Sequence, residues 1–247
     1  MVSYSPPRYL LRRHHILRKV KKGTHFIEVG AGNLKLSSEL SKYFHKGICL
    51  DFAPKVKEIH RTLPKETRDK LSIVIDDFFT AKLPKDIDCI VSCEVMEHIE
   101  EDAELLNRMH ELLKKDGQII LSVPAKMKYW TIHDEIVGHV KRYEKEELEK
   151  LLRKAQFKDV QVISYGFPFI NMLWLMRKTH GALQARKKKD WSQEKQTKES
   201  GVGQLSSLFT PLGIIANKYV FYPLNLISSM FNRFDLSEGY VITATKR

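Results

Sequence analysis

A chain of 247 residues that is 43% hydrophobic and 29% charged has the composition of a soluble globular protein and the length for one domain with a full core. Aromatic residues at 10% exclude wholesale disorder, and Cys49, Cys89 and Cys93 lack the paired spacing of a disulfide scaffold, which favours a reducing cytoplasm. The net charge of +12 is concentrated in residues 1–22 and 177–189, each without an acid, so the remainder is nearly neutral and does not resemble a uniformly basic nucleic-acid binder.

Residues 1–22 read as a first unit. Tyr9, Leu10, Ile16, Leu17 and Val20 alternate with arginines in a basic amphipathic helix, a pattern that suits an anionic membrane surface. The opening residues match neither a signal peptide nor a membrane anchor.

Residues 23–247 form the second unit, in which short apolar runs alternate with amphipathic helices as in a parallel α/β sheet. His25–Val29 is the first predicted strand. The helix after it carries Leu36, Leu40, Tyr43 and Phe44 on one face, with Gly47 expected as its left-handed cap. Ile48–Leu50 is the second strand, and Pro54 opens a charged helix. Leu71–Ile75 and Ile87–Ser92 are the third and fourth strands. A helix buries Leu105, Leu106, Met109, Leu112 and Leu113, and Gly117 is expected to close it before a fifth strand, Gln118–Val123. A helix over 144–155 and strands Val160–Tyr165 and Tyr240–Thr245 complete the pattern.

An insertion, residues 167–238, separates the last two strands. It holds an apolar stretch (Phe169 to Met176), the basic run ending Lys187-Lys188-Lys189, a polar segment over 190–203 and a second apolar stretch from Leu205 to Phe234. The charge-free run from Ser200 to Asn217 falls short of the roughly 20 apolar residues that span a bilayer.

The loop Glu28-Val29-Gly30-Ala31-Gly32-Asn33 follows the first strand. Glycines there let backbone approach a ligand closely. A dinucleotide fingerprint needs a third glycine where Lys35 stands, and the Gly-Lys-Ser/Thr of a phosphate loop is missing. Glu28 repels a pyrophosphate and suits a cationic ligand. Acids recur after the second strand (Asp51) and the third (Asp76, Asp77). Ser92-Cys93-Glu94-Val95-Met96-Glu97-His98-Ile99 follows the fourth. Taken singly, these acids are also ordinary strand-end residues or helix caps.

In combination these motifs resemble the class I S-adenosylmethionine (SAM)-dependent methyltransferases, over about Thr24 to Phe169. The resemblance implies a Rossmann-like seven-stranded sheet of order 3-2-1-4-5-7-6 and SAM as cofactor. It places Glu28, Gly30, Gly32 and Asn33 in the cofactor loop and Asp51, beside Phe52, on the ribose hydroxyls. It puts Asp77 or Asp76 near the adenine amino group, Phe78 against the ring, and Cys93 and Glu94 beside the methionyl part. Ser92–Ile99 is similar to a run in the small-molecule branch of that family. Glu97 and His98 are expected to cap or pair within a helix. Cys89 and Cys93 are read as core packing, and no metal site is expected.

Trp130, His133, Asp134, Gly138, His139, Arg142 and Tyr143 resemble a stretch found in uncharacterised bacterial and archaeal members. They follow the fifth strand, on the side where open α/β sheets bind ligands. His133 or His139 is the candidate base, and Trp130, Asp134, Arg142 and Tyr143 are candidates for acceptor contact; the competing reading is that they hold the loop. The implied partner is a small-molecule or lipid-like acceptor, with peripheral contact at the inner membrane face as an extension. Two rivals are a SAM-binding scaffold without activity and a nucleic-acid methyltransferase, the latter disfavoured because no Asn/Asp-Pro-Pro-Tyr/Phe motif follows the fourth strand. A nicotinamide-dependent dehydrogenase is disfavoured by Lys35.

Overall fold

The computed structural model describes residues 5–175, 178 and 219–247. The run Lys187-Lys188-Lys189, the polar segment 190–203 and the charge-free run 200–217 lie outside them. A helix, α1 (Pro7–Lys19), leads into β1 (Gly23–Val29), α2 (Lys35–Leu40), β2 (Phe44–Asp51), α3 (Lys55–Arg61), α4 (Lys65–Arg68) and β3 (Leu71–Ile75). These are followed by β4 (Ile87–Cys93), α5 (Asp102–Leu112), β5 (Leu113–Pro124), α6 (Ile132–Val137), α7 (Lys145–Lys154), β6 (Phe157–Ser164), α8 (Phe221–Ser229) and β7 (Gly239–Lys246). The sheet order is β3-β2-β1-β4-β5-β7-β6, as the resemblance implied. β1 pairs in parallel with β2 and β4, and β4 with β5, whereas β7 runs antiparallel to both β5 and β6.

Parallel strands covered on both faces read as continuous apolar runs, and β4 and β5 do so. Two cores result. One face packs β1, β4 and β5 against α5 and α7 through Ile27, Ile90, Leu105, Met109, Leu148 and Leu152. The other packs Phe26, Cys49, Val91 and Ile120 against α1 and α2 through Leu11, Ile16, Leu36 and Leu40. Among the described residues no helix is long and apolar enough to cross a membrane.

Two expectations are corrected. α2 ends at Leu40, and Gly47 lies within β2, where a Cβ would stand 2.2 Å from the Phe26 ring. Gly47 therefore makes room for a core aromatic instead of capping a helix. Gly117 lies inside β5, where a Cβ would meet the Lys114 carbonyl oxygen at 2.9 Å, beside a register shift against β4. The basic helix packs on the sheet domain. α1 buries Leu10, Leu11, His15 and Ile16, and Arg13 pairs with Glu39 of α2, which also accepts from Tyr9 Oη at 3.1 Å. Its basic face serves acids of the domain, a use that charge and periodicity cannot separate from lipid contact.

Overpacking at a filled site costs about 1–3 kcal/mol. Gly47→Ala is expected to lose that much in urea unfolding, and the loss should shrink in Gly47→Ala combined with Phe26→Leu.

Candidate active site

The crevice lies at the carboxyl ends of β1 and β4, where the chain order reverses and open α/β sheets bind their ligands. Gly30 and Gly32 adopt φ values of +75° and +50°, which side chains avoid. At Gly30 a Cβ would come within 2.4 Å of Val95 Cγ2, so the β1 loop is moulded against the β4 loop. The Gly32 N–H donates to Asp51 Oδ2 at 2.7 Å, and the Ala53 N–H to Oδ1 at 2.8 Å. Asp51 thus ties the first two strand ends together. Each of its oxygens keeps a second lone-pair site, which a vicinal diol can use.

The other proposed cofactor residues divide between rim and interior. Asn33 is exposed and accepts from the Lys35 N–H at 3.1 Å; Phe52 is 50% exposed beside Asp51. Asp76 is exposed, while half-buried Asp77 accepts from the Phe79 N–H at 2.8 Å. Phe78, expected against the adenine, is buried in the core with the Arg108 guanidinium over its ring. Glu28, expected to suit a cationic ligand, is buried too, and its carboxylate accepts from Ser37 Oγ. Burial, outweighing the Ser37 hydrogen bond, pushes its pKa up to about 8.

Beyond β4 the charges are dense. Half-buried Cys93 leads into Glu94, which has a φ of +58°. Arg8 and Arg12 of α1 each place a guanidinium nitrogen 3.0 Å from the Glu94 carboxylate, and Ser122 Oγ donates to it at 3.0 Å. Burial pushes this carboxyl up, but the two arginines prevail and hold it down at about 2. The α1 partners of Glu94 were not legible in the sequence, because 82 and more positions separate them.

Next comes a 3₁₀ turn, Met96–His98. Glu97 is completely buried, and neither carboxylate oxygen has a hydrogen-bond partner; burial and then the Glu94 charge push its pKa well above the ordinary range. His98 Nδ1 lies 3.0 Å from the Gly138 carbonyl oxygen, and its ring meets that of His139 edge to face at 4.8 Å. Burial and then His139 lower the His98 pKa to about 4.

The stretch after β5 is chiefly a clamp. Asp134 accepts from Arg142 Nε at 2.9 Å and Nη2 at 3.1 Å, a bidentate pair, and from the Thr131 N–H at 2.8 Å. It also lies 2.9 Å from His139 Nδ1. The Tyr143 hydroxyl donates to the Met96 carbonyl at 3.1 Å. Asp134, Arg142 and Tyr143 are all buried and make their hydrogen bonds within the protein, the arrangement that the loop-holding reading expects. Half-buried Trp130 donates from Nε1 to Glu135 Oε1 at 3.2 Å, and His133 is half-buried on α6.

A family model described as a methyltransferase domain matches residues 2–162. The chain belongs to that methyltransferase family. The cofactor is therefore S-adenosylmethionine, and the loop fits it: a glycine cradle that a Cβ would fill, with a diol-competent carboxylate at Asp51. The methyltransferase is 23% identical over 112 residues to the mitochondrial ubiquinone biosynthesis O-methyltransferase of Schizosaccharomyces pombe, a match spanning 44% of this chain and 41% of that enzyme. Solved structures that share the fold include the following two. The YcgJ protein of Bacillus subtilis has a TM-score of 0.61 at 16% identity, covering 96% of this chain and 98% of that one. Phosphoethanolamine N-methyltransferase 2 of Haemonchus contortus, in complex with phosphomonomethylethanolamine and S-adenosylhomocysteine, has a TM-score of 0.56 at 14% identity, covering 95% of this chain and 52% of that one.

The Glu28 carboxyl keeps its proton up to about pH 8 in the folded state, against an ordinary value of 4.5. The stability linked to this group is therefore present in full below pH 4.5 and declines as pH rises through 8. Glu28→Gln removes that decline. In thermal melts the variant should gain on the wild type as the pH is raised from 5 to 8.

Proposed function

We propose that this methyltransferase transfers the SAM methyl group to a hydrophobic small molecule or the head of a lipid-like acceptor. The observation that carries the reading is the apolar surface beyond β5. Tyr129, in the loop after that strand, packs edge to face on Trp174 at 5.3 Å, and Trp174 Nε1 donates to the Tyr129 carbonyl at 2.7 Å. The Tyr129 hydroxyl donates to the Leu236 carbonyl at 3.0 Å and accepts from Asn171 Nδ2 at the same distance. These bonds gather the helical residues 169–175 and the segment before β7 beside the β5 end. Met127, Met172, Leu175 and Leu236 are each 41–63% exposed there. Exposed apolar area grouped at the ligand side of a sheet suits an apolar ligand.

SAM supplies an electrophilic methyl group on a sulfonium. The chain's contribution is position: Gly30 and Gly32 allow close approach, Asp51 fixes the loop, and the apolar wall excludes water from the acceptor. Holding two reactants in line accounts for much of the acceleration such a transfer needs. Where the acceptor carries a proton, His133 is the proposed group to take it. His139 is less suited, since its side chain is 9% exposed and its Nε2 lies 3.7 Å from Glu97. Membrane contact through α1 is not part of the reading, because Arg8, Arg12 and Arg13 pair with Glu94 and Glu39.

The test is incubation of the chain with methyl-labelled SAM and an extract of its source cells, followed by fractionation. Label is expected in the fraction soluble in organic solvent. Gly30→Val, which drives a side chain into Val95, should lower transfer by about a hundredfold, as misplaced reactants do. Label confined to RNA, protein or polar metabolites would overturn the hydrophobic acceptor.

A further inference from the structure

The buried carboxylate of Glu97 has no assigned part in cofactor or acceptor contact, and among the described residues it has no hydrogen-bond partner. Burying such a group is unfavourable unless something compensates it. Its neighbours are two imidazoles. Glu97, His98 and His139 each offer a ligand atom, and these atoms lie within 4.8 Å of one another. His139 Nε2 is already 3.7 Å from Glu97 Oε1.

The two rings are also oriented as metal ligands usually are. A ligating histidine commonly donates its other ring N–H to a carboxylate or a backbone carbonyl, which fixes the tautomer. His139 Nδ1 faces the Asp134 carboxylate at 2.9 Å, and His98 Nδ1 faces the Gly138 carbonyl at 3.0 Å. Both acceptors lack a hydrogen, so each Nδ1 is the donor and the lone pair of each neutral ring sits on Nε2. Asp134 is in turn clamped by Arg142, so the supporting carboxylate is itself held. The nearby cations Arg8 and Arg12 are paired with Glu94, which leaves Glu97 as the charge available to balance an ion.

We propose that Glu97, His98 and His139 form a binding site for a divalent first-row transition ion, with Zn²⁺ as the representative. Two imidazoles and one carboxylate form a donor set that favours Zn²⁺ over Mg²⁺, which prefers oxygen ligands throughout. Ligands at about 2.0–2.2 Å from one ion stand roughly 3–3.6 Å apart, so the cluster must contract by about 1 Å. Three protein ligands leave coordination positions open to water or to an acceptor hydroxyl; the acceptor part rests on the methyltransferase reading above. The motif escapes sequence inspection because His139 lies 41 positions from His98.

The test uses the full chain stripped with chelator and then titrated with Zn²⁺ and with Co²⁺. One ion per chain is expected by elemental analysis, with visible absorption typical of nitrogen-ligated Co²⁺. Binding should weaken at least about a hundredfold in Glu97→Gln and in His98→Ala, as happens when a ligand or its support is lost. SAM affinity and melting temperature without metal report whether each variant has folded. Failure of the wild type to bind an ion, or binding unchanged in folded variants, would overturn the site. If a variant does not fold, the wild-type Co²⁺ spectrum decides: bands without nitrogen ligation contradict the proposal. Methyl transfer that persists in chelator with no ion bound would overturn the ion's role at the acceptor while leaving the methyltransferase reading intact. An ion bound without any methyl transfer would uphold the site and contradict the methyltransferase reading.

Discussion

The reversal of strand order between β1 and β4 is the constraint on which the rest of the molecule depends. β2 and β3 extend the sheet on one side of that point, and β5, β7 and β6 extend it on the other. The connections on either side therefore leave for opposite faces, and a crevice opens between the two strand ends. Both loops at the crevice are shaped for each other. Gly30 has no side chain because Val95 fills that space, and Asp51 holds the Gly32 amide.

Charge at this crevice is arranged in graded steps. Glu94 is fully countered by Arg8 and Arg12 and stays ionised. Asp134 is satisfied by Arg142, Thr131 and His139 and makes the acceptor-side loop rigid. Among the described residues Glu28 and Glu97 are buried without a lysine or arginine paired to them, and both are driven towards the neutral form. A buried charge is tolerated when paired and costly when not. The pairing also explains why a helix rich in arginine precedes the domain: α1 carries the counter-charges for Glu94 and Glu39, and its apolar residues Leu11 and Ile16 close one core.

The sheet was legible from the sequence because period and composition act locally. Strand β3 matches its predicted span, and the other strands differ at their ends. The cofactor loop was legible because glycine, acid and strand end fall within six residues. What failed was long-range. Gly47 and Gly117 were assigned to helix ends by position, whereas their absent side chains answer to Phe26 across the sheet and to carbonyl oxygens of a bulge. The burial of Phe78 and Glu28 was likewise not legible, because it is set by tertiary packing. For Asp134, Arg142 and Tyr143 the sequence left two readings open, acceptor contact or holding the loop, since their spacing could not show that they bond to one another and to Met96.

The account rests on one claim, that the loop between β1 and α2 binds SAM in preference to a dinucleotide. Isothermal titration of the purified chain with SAM and, separately, with NAD measures it directly. Saturable binding of SAM near one molecule per chain, with no heat from NAD, is the predicted result. Saturable NAD binding with no response to SAM would contradict it.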